Sequence, residues 1–217
     1  MYSTQILSSK EELEEAKPFQ FSNFYLAKRR FMKINLKSKC FQSFAIFLGY
    51  LIYKFINLNI FLSIIIGYCI LLAYVFLYVH FVFHSRITND MDYGRFVEFW
   101  SQQSNCMMGL YETKNEIKKL IGVVGIILIQ LPARCELRRM WICEAYRRYG
   151  LGTMLLNFTF NEARRLNYRR IELVTRLVLN EANEFYLKNG FQLTRKVEYF
   201  TTLPFNTYID LYYEKQL

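Results

Sequence analysis

Two glycines spaced two apart, behind a pair of arginines, are the residues of this sequence best suited to chemistry. The run Arg147-Arg148-Tyr149-Gly150-Leu151-Gly152 has the pattern Arg-x-x-Gly-x-Gly. Glycines at that spacing let backbone N–H groups approach a ligand with no Cβ in the way. A helix predicted from Leu151 adds the unpaired N–H groups of its first turn, Leu151 to Thr153, and the positive end of its dipole. With Arg147 and Arg148 beside it, the turn suits a pyrophosphate. A dinucleotide fingerprint would need a third glycine and a P-loop would need Gly-Lys-Ser/Thr, and neither is present. Local physics therefore reaches a phosphate cradle and leaves the ligand open. An ordinary strand-to-helix turn with two solvated arginines fits the same residues.

The elements that must hold this turn alternate along the chain. Residues 106–112 and 119–129 read as strands joined by a charged turn at 113–118. The second is apolar almost throughout, as a strand buried on both faces requires, and Pro132 closes it. Strand 136–142 leads into the cradle. The helix over 151–166 is expected to turn Leu151, Met154, Leu155, Phe158 and Leu166 towards the sheet. Strand 169–177 and a helix over 180–189 follow, with Gly190 as its stop. Residues 191–200 and 207–215 read as a closing antiparallel pair. Near the N-terminus, 2–7 form a short strand, Ser8-Ser9 cap an acidic first turn, and a polar stretch with Asn89-Asp90 and Asp92 leads into a short helix, 92–102. The pattern predicts a mixed α/β sandwich.

A hydrophobic insertion interrupts this order. Between residues 44 and 83 Lys54 is the only formal charge, and residues 60–79 supply the roughly 20 apolar positions of a membrane-spanning helix. Lys54, Asn57 and Asn59 break the segment into a short first arm and a long second one. Lys28, Arg29, Arg30, Lys33, Lys37 and Lys39 precede it without an acid among them, which places that end on the cytosolic side. A hairpin or re-entrant loop, preferred here over a single span, returns the cradle to the same side. No signal peptide is expected, because Glu11, Glu12, Glu14 and Glu15 stand where a basic-then-apolar pattern is needed. Three segments follow: 1–40 with the basic stretch, 41–84 in the membrane, and 85–217 as the α/β domain.

The net charge of +10 is compatible with nucleic acid, anionic lipid or a phosphorylated ligand. Acids such as Glu162 and Glu172 interrupt the Arg164-Arg165 and Arg169-Arg170 pairs, and no recognition motif accompanies them, so no nucleic-acid partner is expected. Five scattered cysteines without a Cys-x-x-Cys pair favour free thiols in a reducing compartment. His80 and His84 share a helical face, but two ligands make no metal site, and none is expected. The sequon Asn157-Phe158-Thr159 falls inside a predicted helix.

Residues 136–160 resemble motif A of the GNAT acetyltransferases, whose Arg/Gln-x-x-Gly-x-Gly/Ala turn holds the pyrophosphate of acetyl-CoA. Downstream, Ala182-x-x-Phe185-Tyr186-x-x-x-Gly190-Phe191 resembles the family's second signature. An apolar insertion before such a core is further similar to the membrane-bound camello-like (N-acetyltransferase 8) group, which acetylates cysteine conjugates, aspartate or protein lysines at the endoplasmic reticulum. The resemblance implies a GNAT-like acyltransferase fold, a mixed α/β sheet with an inserted membrane segment. It also implies acetyl-CoA as co-substrate, a primary amine as acceptor and a lipid membrane as partner.

By the same resemblance, the sheet splays near Ile142, and the backbone of Met140 and Ile142 aligns the pantetheine arm. The pyrophosphate is then held by the turn from Arg147 through Arg148, Tyr149, Gly150, Leu151 and Gly152 to Thr153. Tyr186 matches the tyrosine that protonates the departing thiolate. Glu136, and after it Glu172, are candidate bases for the incoming ammonium, each with the alternative of pairing with an arginine such as Arg138 or Arg170. Cys143 beside the cradle lacks a histidine base and reads as a strand residue. The chain departs from the family pattern at Glu144, Arg148, Tyr149 and Leu179. A non-catalytic CoA-binding membrane scaffold remains the alternative reading.

Overall fold

The computed structural model describes residues 1–37, 39–56, 58–89, 95–130, 133–200 and 207–217. These fall into two compact units, one of residues 1–25, 91–197 and 210–217, the other of residues 26–90 and 198–209. Pro132, Asn57, Asp90 and Asp92, to which the sequence assigned a strand end, a turn and a polar lead-in, lie outside the described residues, as does the side chain of His84.

Among the described residues, seven strands form one mixed sheet: β1 (Tyr2–Leu7), β2 (Asn105–Lys114), β3 (Ile117–Gln130), β4 (Arg134–Ile142), β5 (Arg170–Arg176), β6 (Gln192–Phe200) and β7 (Thr207–Gln216), in the order β1-β2-β3-β4-β5-β7-β6. The β2–β3 hairpin is tighter than its sequence suggests. Its turn is Asn115-Glu116 alone, both at positive φ (49° and 65°), the arrangement whose twist matches the flanking strands. Thr113, Lys114, Ile117 and Lys118 therefore belong to the strands.

Alternation along β2 supplies two core faces. Met107 and Tyr111 join Leu7, Val123 and Leu120 under the helices α1 (Lys10–Ala16) and α5 (Phe96–Trp100), which contribute Leu13, Ala16, Phe96 and Trp100. A full capping box at Ser9 and Glu12 starts α1, satisfying two orphan N–H groups reciprocally. The alternate residues Met108 and Leu110 are equally buried, and helix α6 (Leu151–Arg165) packs against β2, β3 and β4. The buried stripe of α6 is Leu151, Leu155, Leu156, Thr159, Phe160 and Ala163, whereas Met154 and Leu166 are exposed and Phe158 is half-buried. The expected stripe was rotated because it passed over Thr159. That hydroxyl donates to the Leu155 carbonyl at 2.9 Å, so a polar residue sits in the core satisfied.

The basic run lies in α2 (Ser22–Lys37), followed by α3 (Lys39–Ile56) and α4 (Ile60–Asn89). Asn59 starts α4, its Oδ1 accepting from the Phe61 N–H at 2.9 Å and its carbonyl from Ser63 at 2.9 Å. The arms α3 and α4 form an antiparallel helical hairpin in close backbone contact. A Cβ on Gly49 would stand 2.6 Å from Ile64 Cα, and one on Gly67 2.7 Å from the Gly49 nitrogen. Ala45 and Ser63 are buried at the same seam, as in small-residue helix packing within bilayers. The stretch Ile60–Tyr78 is long and apolar enough to cross a membrane, with a mean hydropathy of 2.7 and only 22% of it buried.

Candidate functional site

Two departures from regular pairing shape the region around the cradle. In β4, Arg138 pairs with Gly125 and Trp141 with Val123, so Arg139 and Met140 together oppose Val124. Arg139 takes φ 56°, and this bulge re-aims the residues that follow. β4 and β5 are parallel partners over Arg134–Arg170, Cys135–Ile171 and Glu136–Glu172, and beyond Glu136 no pairing continues. The two strands therefore part, and β4 runs on beside β3 alone, towards the cradle.

At the end of β4 the chain makes a short 3-10 turn, Glu144–Tyr146, and then the glycine turn. The Tyr146 hydroxyl donates to Glu112 Oε2 at 2.6 Å, tying this loop to β2; that bond to a carboxylate pushes the phenol up to about 12. Arg147 does not extend from the cradle. Its guanidinium lies 4.1 Å from the centre of the Trp141 ring, and its Nε donates to the Ile142 carbonyl at 3.0 Å. Its backbone N–H is taken by Glu144. The free positive charge of the turn is that of Arg148, exposed at φ 67°, beside an exposed Tyr149.

The two glycines serve different ends. Gly150 is the left-handed N-cap of α6 at φ 78°, with open space where a Cβ would be. Only glycine takes this conformation without strain. Met154 donates to the Gly150 carbonyl at 3.0 Å, so the N–H groups of Leu151, Gly152 and Thr153 precede the first intrahelical bond and face outward from the helix end. Gly152, in contrast, is a contact point. A Cβ there would lie 3.3 Å from Phe185 Cε2 and 3.9 Å from Met140 Cε. The bulged strand, the start of α6 and the helix α7 (Asn180–Lys188) thus converge at one residue.

Tyr186 follows Phe185 on α7 and is buried at 8% exposure among Phe185, Phe191 and Tyr213, with ring centres at 5.5, 5.6 and 6.3 Å. Burial alone pushes its phenol well above the usual tyrosine value. Gly190 at φ 84° ends α7, with Phe191 donating to the Tyr186 carbonyl and Gly190 to that of Leu187. These are the two bonds of a Schellman cap.

Asn183, which the sequence reading passed over, locks α7 in place. Its Nδ2 donates to the carbonyls of Arg176 at 3.1 Å and Leu177 at 3.2 Å, and its Oδ1 accepts from the Tyr213 hydroxyl at 3.4 Å. The available signal was a polar residue three before Tyr186, on the same helical face.

Glu136 and Glu172 are partners on the last paired rung of β4 and β5. Each is held by an arginine: Arg138 lies 2.9 Å from Glu136 and Arg134 lies 3.0 Å from Glu172. Arg170, the other arginine weighed for this role, pairs instead with Glu214 at 3.2 Å. Cys143 lies just past β4, as the cap of the 3-10 turn and not in the strand the sequence assigns it to. Its thiol is pushed up, burial outweighing the nearby Lys119 and Arg147, which argues against a nucleophile.

The family model described as the acetyltransferase (GNAT) family matches residues 76–191, just over half of the chain. A probable N-acetyltransferase 14 from Xenopus tropicalis is 33% identical over 75 residues. The match covers 35% of this chain and 36% of that protein, so the chain spans about a third of the relative's length. Among solved structures, an acetyltransferase of GNAT family from Streptococcus pneumoniae is 22% identical, with a TM-score of 0.45 over 56% of this chain and 73% of its own. An aminoglycoside 6'-N-acetyltransferase complexed with coenzyme A is 17% identical, with a TM-score of 0.46 over 60% and 85%.

Proposed function

The chain belongs to the acetyltransferase (GNAT) family, and from that membership we propose that it is a membrane-anchored N-acetyltransferase acting on a primary amine. Acetyl-CoA is the co-substrate. The observation that carries this reading is the convergence at Gly152, where β4, α6 and α7 meet at the point at which β4 has parted from β5. The outward N–H groups of Leu151, Gly152 and Thr153 hold the pyrophosphate, with Arg148 as the nearby cation. Met140 and Ile142 border the pantetheine arm along the free edge of β4.

The acceptor nitrogen attacks the thioester carbonyl carbon directly, the C–S bond breaks, and Tyr186 protonates the departing thiolate. A phenol kept neutral by burial holds its proton for that step. The acceptor ammonium first loses a proton, for which Glu136 is the leading base and Glu172 the second. Arg138 and Arg134 position these two carboxylates. The acceptor is a small amine, such as an amino acid or cysteine conjugate, or a protein lysine.

The hairpin α3–α4 is the anchor. Phe47, Phe55, Phe61, Ile65, Leu77 and Phe81 are all more than half exposed on its surface, an apolar area no soluble helix pair presents to water without cost. Its longer arm fits a bilayer: α4 over Ile60–Tyr78 spans about 28 Å against a hydrocarbon core of about 30 Å. The base of the hairpin and the acetyltransferase domain then share the cytosolic face, at the endoplasmic reticulum or a related membrane.

Calorimetry of acetyl-CoA with the detergent-purified protein tests the cofactor site, and release of free CoA thiol across a panel of amines tests turnover. A well-folded protein that does not bind acetyl-CoA would refute this reading, and binding without turnover on any amine would favour the scaffold instead.

A further inference from the structure

No Asp or Glu occurs between Glu15 and Asp90, yet the cations within that stretch are not spread evenly. Lys54 lies near the tip of the α3–α4 hairpin, whereas Lys28, Arg29, Arg30, Lys33, Lys37 and Lys39 cluster just before its base. Helix geometry sorts these further. Lys28, Met32 and Leu36, four apart, are half-buried along one line of α2, and Arg29, Lys33 and Lys37, also four apart, are exposed along the next. Lys39 continues the exposed set on α3. Lys28 Nζ lies 3.4 Å from His80 Nδ1, which fixes α2 beside α4 just past its apolar stretch. The exposed cations flanking that contact on α2 are therefore held near the level where the stretch ends.

We propose that Arg29, Lys33, Lys37 and Lys39 form a docking surface for the phosphates of anionic phospholipid headgroups. This rests on the reading of α3–α4 as a membrane anchor. A nucleic acid would find the same charges, but the stripe is coupled through Lys28 and His80 to the base of an exposed apolar hairpin, where headgroups lie and a nucleic acid does not. Cations so placed are attracted by the negative surface of a cytosolic leaflet, an attraction that fades within a Debye length and is weakened by salt.

The full chain in lipid nanodiscs of phosphatidylcholine alone, or with phosphatidylserine at about a third of the lipid, separates the possibilities. Amide hydrogen exchange over residues 28–39 is expected to slow on the order of tenfold in the anionic discs, the scale of several headgroup contacts. The effect should vanish at high salt and in an R29Q/K33Q/K37Q variant, with both proteins retained by both kinds of disc. Equal exchange in the two discs, or slowing that persists in the variant, would overturn the proposal while leaving the anchor standing. Slowing abolished by nuclease would overturn it in favour of a nucleic acid. Protein recovered apart from both kinds of disc would remove the anchor itself, and this proposal with it.

Discussion

Gly152 of α6 lies against Phe185 of α7, so that a Cβ at 152 would stand 3.3 Å from the ring. The glycine that opens the phosphate turn and the aromatic that precedes Tyr186 are therefore one packing unit. On the proposed function, this contact couples binding at the cradle to the positioning of Tyr186.

The two glycines should respond differently to substitution. Gly150→Ala meets open space but a left-handed backbone, and is expected to cost about 1–2 kcal/mol of stability with acetyl-CoA binding retained. Gly150→Asn should recover much of that loss. Gly152→Val should abolish binding by displacing Phe185, while thermal unfolding still reports a folded domain. Calorimetry beside a melting curve for each variant checks the distinction, and equal binding losses in Gly150→Ala and Gly152→Val would contradict it.

Tyr186→Phe keeps the aromatic packing and removes the proton. Turnover is expected to fall by about two to four orders of magnitude with acetyl-CoA affinity nearly unchanged. The same variant alters alkaline stability. Because burial raises the folded-state value of this phenol, its contribution is complete below the ordinary value near ~10 and is lost as pH rises beyond it. Melting temperatures between pH 8 and 11 should fall less steeply in Tyr186→Phe than in the wild type.

Cys106 and Cys135 add a second alkaline signature with the same sign. Burial pushes their thiols up to about 11 and about 12, so stability is retained below the ordinary thiol value and declines above it as unfolded thiols ionise. In the native protein at pH 8 both should resist a thiol reagent that labels them once the chain is unfolded. Rapid labelling of Cys135 without unfolding would show the core to be more open than its packing implies.

Glu136→Gln and Glu172→Gln separate the two candidate bases. Loss of the acidic limb of the kcat/KM profile in Glu136→Gln alone assigns the proton acceptor to Glu136. If both variants keep the wild-type profile, the two carboxylates serve only their ion pairs with Arg138 and Arg134, and another group takes the proton.

Asn183→Ala leaves the carbonyls of Arg176 and Leu177 without their side-chain donor and should cost about 1–3 kcal/mol. Its turnover should fall more than its acetyl-CoA affinity, because the change loosens Tyr186 rather than the phosphate turn. Denaturant unfolding and steady-state kinetics on the same preparation provide the check.

Much of this arrangement is written locally and was legible in the sequence. The Arg-x-x-Gly-x-Gly spacing marks a strand-to-helix turn because Gly150 alone tolerates φ 78° there. Gly190 marks the end of α7 for the same reason. The apolar run with Lys54, Asn57 and Asn59 at its middle marks a hairpin, since Asn59 caps the second arm. The elements around the cradle follow from periodicity, with ends shifted by a few residues.

What the sequence could not supply depends on residues distant along the chain. The bulge at Arg139 and Met140 arises from register against Val124, and no local composition announces it. That Gly152 packs on Phe185, that Arg147 lies on Trp141 and that each candidate base is matched to its own arginine are outcomes of pairing between strands and helices. Backbone conformation is a property of a few neighbouring residues and is encoded where they stand. The partner of a side chain is decided only when the sheet has closed, and there the tertiary structure had the deciding part.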